Sequence, residues 1–175
     1  MPATWTDRME TIQTFEQDTS AMSRIYTWTT LWHLALDRPL VGAGFGTDNP
    51  VVFALYAPAE GAGVYKGGNF YVAHSIYFQA LGEHGFPGLA LYLLLGLLTW
   101  RTAARLARQT ADDPEYGEWV PLLMRMVQVS LAGFAVGGAF LTLVHFDFPY
   151  YIAAFVVLVD ATLRERVKSD IGREA

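Results

Sequence analysis

Two rhythms of apolar residues succeed one another along the chain. Ile25, Trp28, Leu31, Trp32 and Ala35 recur at the three- and four-residue steps of one helical face, which predicts a helix over Ser23–Leu36. Ser20 or Ser23 supplies a capping hydroxyl at its start, and Pro39 stops it. "VGAGFGTDNP" then reads as a tight glycine turn, residues 51–56 as a short apolar helix or strand, and "APAEGAGVYKGGN" from Ala57 to Asn69 as a flexible loop. A further helix begins near His74 or Ser75 and ends before Gly85.

Beyond Gly85 the periodicity gives way to continuous apolar runs. Gly85 to Trp100 carries no charged residue. At 1.5 Å per residue this run gives about 24 Å of helix, slightly short of a ~30 Å hydrocarbon core, and Arg101 can snorkel to extend it. A second run covers Pro121–Val144, with Arg125 near one end and "AGFAVGGA" inside it, a row of small residues that lets transmembrane helices approach closely. A third, "FPYYIAAFVVLVDATL", covers Phe148–Leu163, with Asp160 near its end and Tyr150 and Tyr151 where an interfacial aromatic belt sits. The expected fold class is therefore all-α: a polytopic membrane fragment with about three transmembrane helices (85–104, 121–144 and 148–163) and a largely helical extracytoplasmic loop over 1–84.

Basic residues set the orientation. Arg101, Arg105 and Arg108 follow the first run, and Arg164, Arg166 and Lys168 follow the third, so both flanks are expected on the cytoplasmic side, including a tail over 166–175. Residues 1–84 and the "VHFDFP" turn, Val144–Pro149, then face outward together. The first twenty residues have neither a basic nor an apolar region of the kind a signal peptide needs. The expectation is that further transmembrane helices lie upstream and that the chain is the C-terminal part of a larger multi-pass protein.

Composition agrees with a membrane setting: 53% of the 175 residues are hydrophobic and 17% are charged, against about 25% charged in soluble domains. The net charge of −5 leaves no basic footprint for nucleic acid. With no cysteine, disulfides and thiolate metal sites are excluded. "GAGFG" lacks the third glycine of a dinucleotide fingerprint and no strand precedes it, so a turn accounts for it better. His74, His84, His145, Glu83 and Asp147 suggest a metal, but there is no H-E-x-x-H pair, and adjacent Glu83 and His84 point about 100° apart on a helix. No metal is expected.

Two residues remain. His74 stands at or near a helix N-terminus, where a neutral imidazole able to act as a base is favoured; the plainer alternative is a buried histidine bonded to a backbone carbonyl. Arg24 stands one turn before Trp28, where it either stacks on the indole or offers a guanidinium fork to phosphate.

The ordered motifs "RMETI", "DTSAMSRIYTW", "DRPLVGAGF", "YAP", "AHSIYFQALGEHGFPGL" and "HFDFPYY", from Arg8 to about Tyr151, resemble the C-terminal half of the O-antigen ligase family. The resemblance is greatest to the putative O-glycosylation ligases associated with the exosortase A system. It implies a multi-pass glycosyltransferase of the bacterial inner membrane, with residues 1–84 periplasmic. Such an enzyme moves a glycan from undecaprenyl diphosphate to a protein or lipid acceptor, with no metal or cofactor. By resemblance, Arg24 of "SRIYTW" binds the lipid diphosphate and His74 of "AHSIYF" activates the acceptor hydroxyl. The cationic residues and groove helices that such ligases carry upstream are not in this chain, so the fragment is expected to be inactive alone. Arg8, Arg38 and Lys66 lie in the same compartment without an assigned role. A polysaccharide polymerase using the same donor and a non-catalytic membrane scaffold are the alternative readings. A transporter is disfavoured because charged residues occur only near the ends of the spans.

Overall fold

The computed structural model describes residues 19–59, 70–111 and 118–174. Arg8 and Lys66 lie outside the described residues. Among those described there is no strand, and the helices are α1 (Thr19–Asp37), α2 (Pro50–Tyr56), α3 (Ile76–Gln109), α4 (Trp119–Gly138) and α5 (Phe148–Glu174). The fold is all-α. The chain divides into two compact units, residues 1–89 with 139–144 and residues 90–138 with 145–175.

In the first unit, α1 starts at Thr19, one turn ahead of the expected Ser23, and ends at Asp37, two residues before Pro39. Its buried face is Thr27, Thr30, Leu31, Leu34 and Ala35, whereas Ile25 and Trp32 are 39% and 44% exposed. The face is rotated from the one the apolar spacing predicts. Threonine makes this possible: Thr27 Oγ1 donates to the Ser23 carbonyl and Thr30 Oγ1 to the Tyr26 carbonyl, each at 2.7 Å, so both hydroxyls are satisfied inside the core.

Residues 51–56 form part of α2. Asn49 caps it by accepting from the Val51 and Val52 N–H groups, and Pro50 stands in its first turn, where its missing N–H costs nothing. Val52 and Phe53 join Leu31, Leu34 and Ala73 in one core cluster, with Ala43, Tyr56, Tyr71 and Phe78 packed against it. Tyr56 and α1 are tied by a 2.7 Å bond from the phenol to Asp37 Oδ2, and that carboxylate holds the phenol above its ordinary pKa. His33 Nδ1 adds a bond to the Tyr56 carbonyl at 3.1 Å.

α3 is broken at Gly85, whose φ of 67° and ψ of −167° are not helical. A break strands carbonyls on one side and N–H groups on the other. The glycine turn after α1 meets both sets: Ala43 N–H donates to the Gly82 carbonyl and Gly44 N–H to the Glu83 carbonyl, while Phe86 N–H donates to the Pro39 carbonyl, all at 2.9 Å. A Cβ on Gly42 would strike the Gly82 carbonyl, and one on Gly85 would strike the Pro39 carbonyl. Both glycines also have positive φ, so the approach and the conformation each demand glycine. Pro87 then falls in the first turn of the resumed helix.

The second unit packs Ala103, Leu106, Ala107, Met124, Val127, Leu131 and Val156 into a wholly apolar cluster. Arg105 of α3 and Arg164 of α5 both contact Asp160, at 3.0 and 2.9 Å. α4 ends at Gly138, whereas the uncharged run predicts continuation to Val144. Residues 139–144 belong instead to the first unit, where polar bonds draw the backbone out of the helix: Thr142 Oγ1 accepts from His74 N–H at 3.1 Å, and Val144 N–H donates to Gln79 Oε1 at 3.4 Å.

α3 and α4 are long and apolar enough to cross a membrane, and most of their side chains are not buried in the chain. Leu91 is 67% exposed and Val129 72%, which is not how the core helix of a water-soluble protein behaves. α5 begins at Phe148 as expected but continues through the charged "RERVKSD" to Glu174, and it does not meet the same criterion. In the small-residue row of α4, a Cβ on Gly133 or Gly137 would meet nothing within 4 Å.

Candidate functional site

Arg24 lies in the second turn of α1, half-buried, and among the described residues no carboxylate pairs with it. One turn further on, Trp28 does not serve as its stacking partner. The indole lies parallel to Phe78, with centroids 5.1 Å apart and planes 6° from parallel, and its Nε1–H donates to the Ala73 carbonyl at 2.6 Å. That bond couples the helix carrying Arg24 to the residue immediately before His74.

His74 is exposed, which removes the plainer reading of a buried, carbonyl-bonded imidazole. Its φ is +46°, the one positive value at a non-glycine position among the described residues, a conformation that costs about 1–2 kcal/mol. Two backbone bonds hold it there: the Trp28 bond to the preceding carbonyl and the His74 N–H bond to Thr142. The next residue, Ser75, is buried, and its carbonyl accepts the Gln79 N–H at 2.9 Å, so Ser75 occupies the cap position of α3. His74 therefore stands just outside a helix N-terminus, where the backbone field carries partial positive charge.

Beneath it runs a buried polar chain. Gln79 accepts the Val144 N–H through Oε1 and donates through Nε2 to Glu83 Oε1 at 3.1 Å; Glu83 is 1% exposed. Spacing alone does not reveal Thr142 and Gln79 as supports, because they are distant in sequence from what they hold. The one local signal is the glycine pair Gly137–Gly138, which marks a helix end ahead of Thr142.

Glu83 and His84 come closer than a helical projection suggests. His84 Nε2 lies 3.8 Å from Glu83 Oε2, with Phe45 edge-on to the imidazole at 4.8 Å. Long side chains bend back across the angle that separates their Cβ atoms. Asp147 and His145 belong to the second unit.

A family model described as O-antigen ligase matches residues 1–93, a stretch that contains Arg24, the glycine turn, His74 and the break at Gly85. The chain belongs to the O-antigen ligase family. No curated protein and no solved structure matches it. The "HFDFPYY" motif, α4 and α5 lie beyond the family match. Membership in the O-antigen ligase family, with two apolar helices able to cross a bilayer, makes this a membrane protein of glycan transfer, with ligase-type glycosyltransferase activity at that level of description.

Proposed function

We propose that this O-antigen ligase family member transfers a glycan from an undecaprenyl diphosphate carrier to a protein or lipid acceptor, at the periplasmic face of the inner membrane. Arg24 binds the diphosphate and His74 is the base. The observation that carries this reading is the 2.6 Å bond from Trp28 to the Ala73 carbonyl, which couples the turn of α1 after Arg24 to the segment presenting His74.

In this mechanism the imidazole of His74 takes the proton of the acceptor hydroxyl as its oxygen attacks the anomeric carbon. The bond from that carbon to the diphosphate oxygen breaks on the opposite face, so the anomeric centre inverts. Negative charge grows on the leaving diphosphate, and a guanidinium stabilises it without any proton transfer. Arg24 suits the task because it is half-buried and engages no carboxylate among the described residues. The exposure of His74 leaves its ring open to an acceptor.

The test places Arg24→Ala, Arg24→Lys and His74→Ala at the native locus and follows glycan transfer from the lipid-linked donor in isolated membranes. Each alanine variant is expected to insert normally and to lose transfer by at least about a hundredfold, the usual scale of a general base or a charge-stabilising donor. Lysine recovers little, since it lacks the fork. Full transfer with both alanines would leave only a scaffold role for these residues.

A further inference from the structure

We infer that the turn at residues 39–45 and α2 form a monotopic membrane anchor, lying in the interfacial region of the bilayer beside the start of the membrane-crossing part of α3. This is independent of the transferase reading and concerns a surface that the proposed chemistry does not use.

Apart from the Tyr56 hydroxyl, which is bonded to Asp37, α2 carries only apolar side chains. Val52 and Phe53 are buried in the core of the first unit, but Val51 and Leu55, on its other face, are 65% and 68% exposed. An exposed apolar face on a helix whose opposite face is already buried needs an apolar phase of its own. The turn has the same character: Leu40, Val41 and Phe45 are all strongly exposed, and Ala43 between them packs on the cluster that holds Val52 and Phe53. Turn and helix therefore share one support and present bulky apolar side chains away from it. Neither "PLVGAGF" (39–45) nor "PVVFALY" (50–56) contains a charged residue, while Asp48 lies between them.

Continuity with the spanning helix identifies lipid as the occupant. The Pro39 carbonyl accepts from Phe86 N–H, and the Ala43 and Gly44 N–H groups donate to Gly82 and Glu83. The turn is thus hydrogen-bonded to both sides of the break from which α3 enters its apolar run, and Phe86, directly after the break, is itself exposed. Leu40, with Val41 after it, directly follows the residue bonded to the head of a membrane-crossing helix, where lipid is the surrounding medium. The bonded N–H groups of Gly42, Ala43 and Gly44 also suit the turn to this depth, because unpaired N–H groups are costly near hydrocarbon. Apolar faces of this kind settle about 5–10 Å into the headgroup–acyl boundary.

Because the chain has no cysteine, single introduced thiols label uniquely. The full chain, reconstituted in phosphatidylethanolamine–phosphatidylglycerol vesicles, carries an environment-sensitive fluorophore at Val41→Cys, Leu55→Cys or, as the control, Asp48→Cys. All three positions are exposed, so labelling leaves the core intact. At 41 and 55, blue-shifted emission, quenching by lipids brominated high on the acyl chain and protection from aqueous iodide are expected; at 48, iodide quenches. Iodide quenching at 41 and 55 equal to that at 48 would overturn the anchor. Protection from both iodide and brominated lipid would overturn it as well, since protein would then cover the face. Neither result bears on Arg24 or His74.

Discussion

In the first unit the contacts that decide the structure are directional: threonine hydroxyls turned onto helix carbonyls, an indole N–H on Ala73, a threonine under His74, and a glycine turn bonded to both sides of a helix break. In the second they are mostly bulk contacts among leucine, valine, methionine and alanine, together with the charged cluster at Asp160. The contrast follows from what each unit must do. The proposed site in the first unit needs atoms at fixed places, and hydrogen bonds specify place where dispersion contacts specify only density. A membrane-crossing pair of helices needs satisfied backbones and close packing, which regular helices already provide.

The sharpest way to break the contrast is Gly85→Val. A side chain there would occupy the position of the Pro39 carbonyl at a φ that valine avoids, so a loss above about 3 kcal/mol is expected. Thermal unfolding in detergent, followed by circular dichroism, checks it; an unchanged midpoint would mean that the break is not a structural requirement. Leu106→Ala, at a fully buried position of the second unit, should cost about 2 kcal/mol or more in the same assay, chiefly from lost packing because the surrounding phase is itself apolar.

Asp160→Leu leaves Arg105 and Arg164 without their shared carboxylate. Removing one partner of a buried pair costs roughly 3–5 kcal/mol, and the partial exposure of this cluster brings the expected loss to about 2. Adding Arg105→Leu should restore part of it. A double variant less stable than Asp160→Leu would show that the arginine has a separate function.

Smallest in stability, but most telling for the first unit, are Trp28→Phe and Thr142→Val. Each removes one bond that holds His74 in its left-handed conformation, at about 1 kcal/mol. Glycan transfer should fall much further than stability does, and Thr142→Ser should recover it by restoring the hydroxyl. Equal loss of both properties would make these residues ordinary packing.

How much was legible in the sequence follows the same division. The helix before Pro39, the break at Gly85 and the apolar identity of the later helices all follow from local signals: spacing, proline, glycine and the absence of charge. The buried face of α1 did not, because apolar spacing overlooks threonines that bond their own helix. Nor did the end of α4, since Ala139–Val144 is as uncharged as the helix before it and leaves the helix to bond elsewhere. Arg24 and His74 stand out from residue type and family resemblance, while their supports, Trp28, Thr142 and Gln79, do not.

The amino-acid order alone determined the helical class and the membrane setting, because each rests on interactions within a few positions of chain, and it singled out Arg24 and His74 through residue type and family resemblance. Only the tertiary structure decided what holds them. The glycine turn meets the broken α3 across about forty residues, and Thr142 meets His74 across 68, separations at which pairing depends on the path of the whole backbone and leaves no periodic trace.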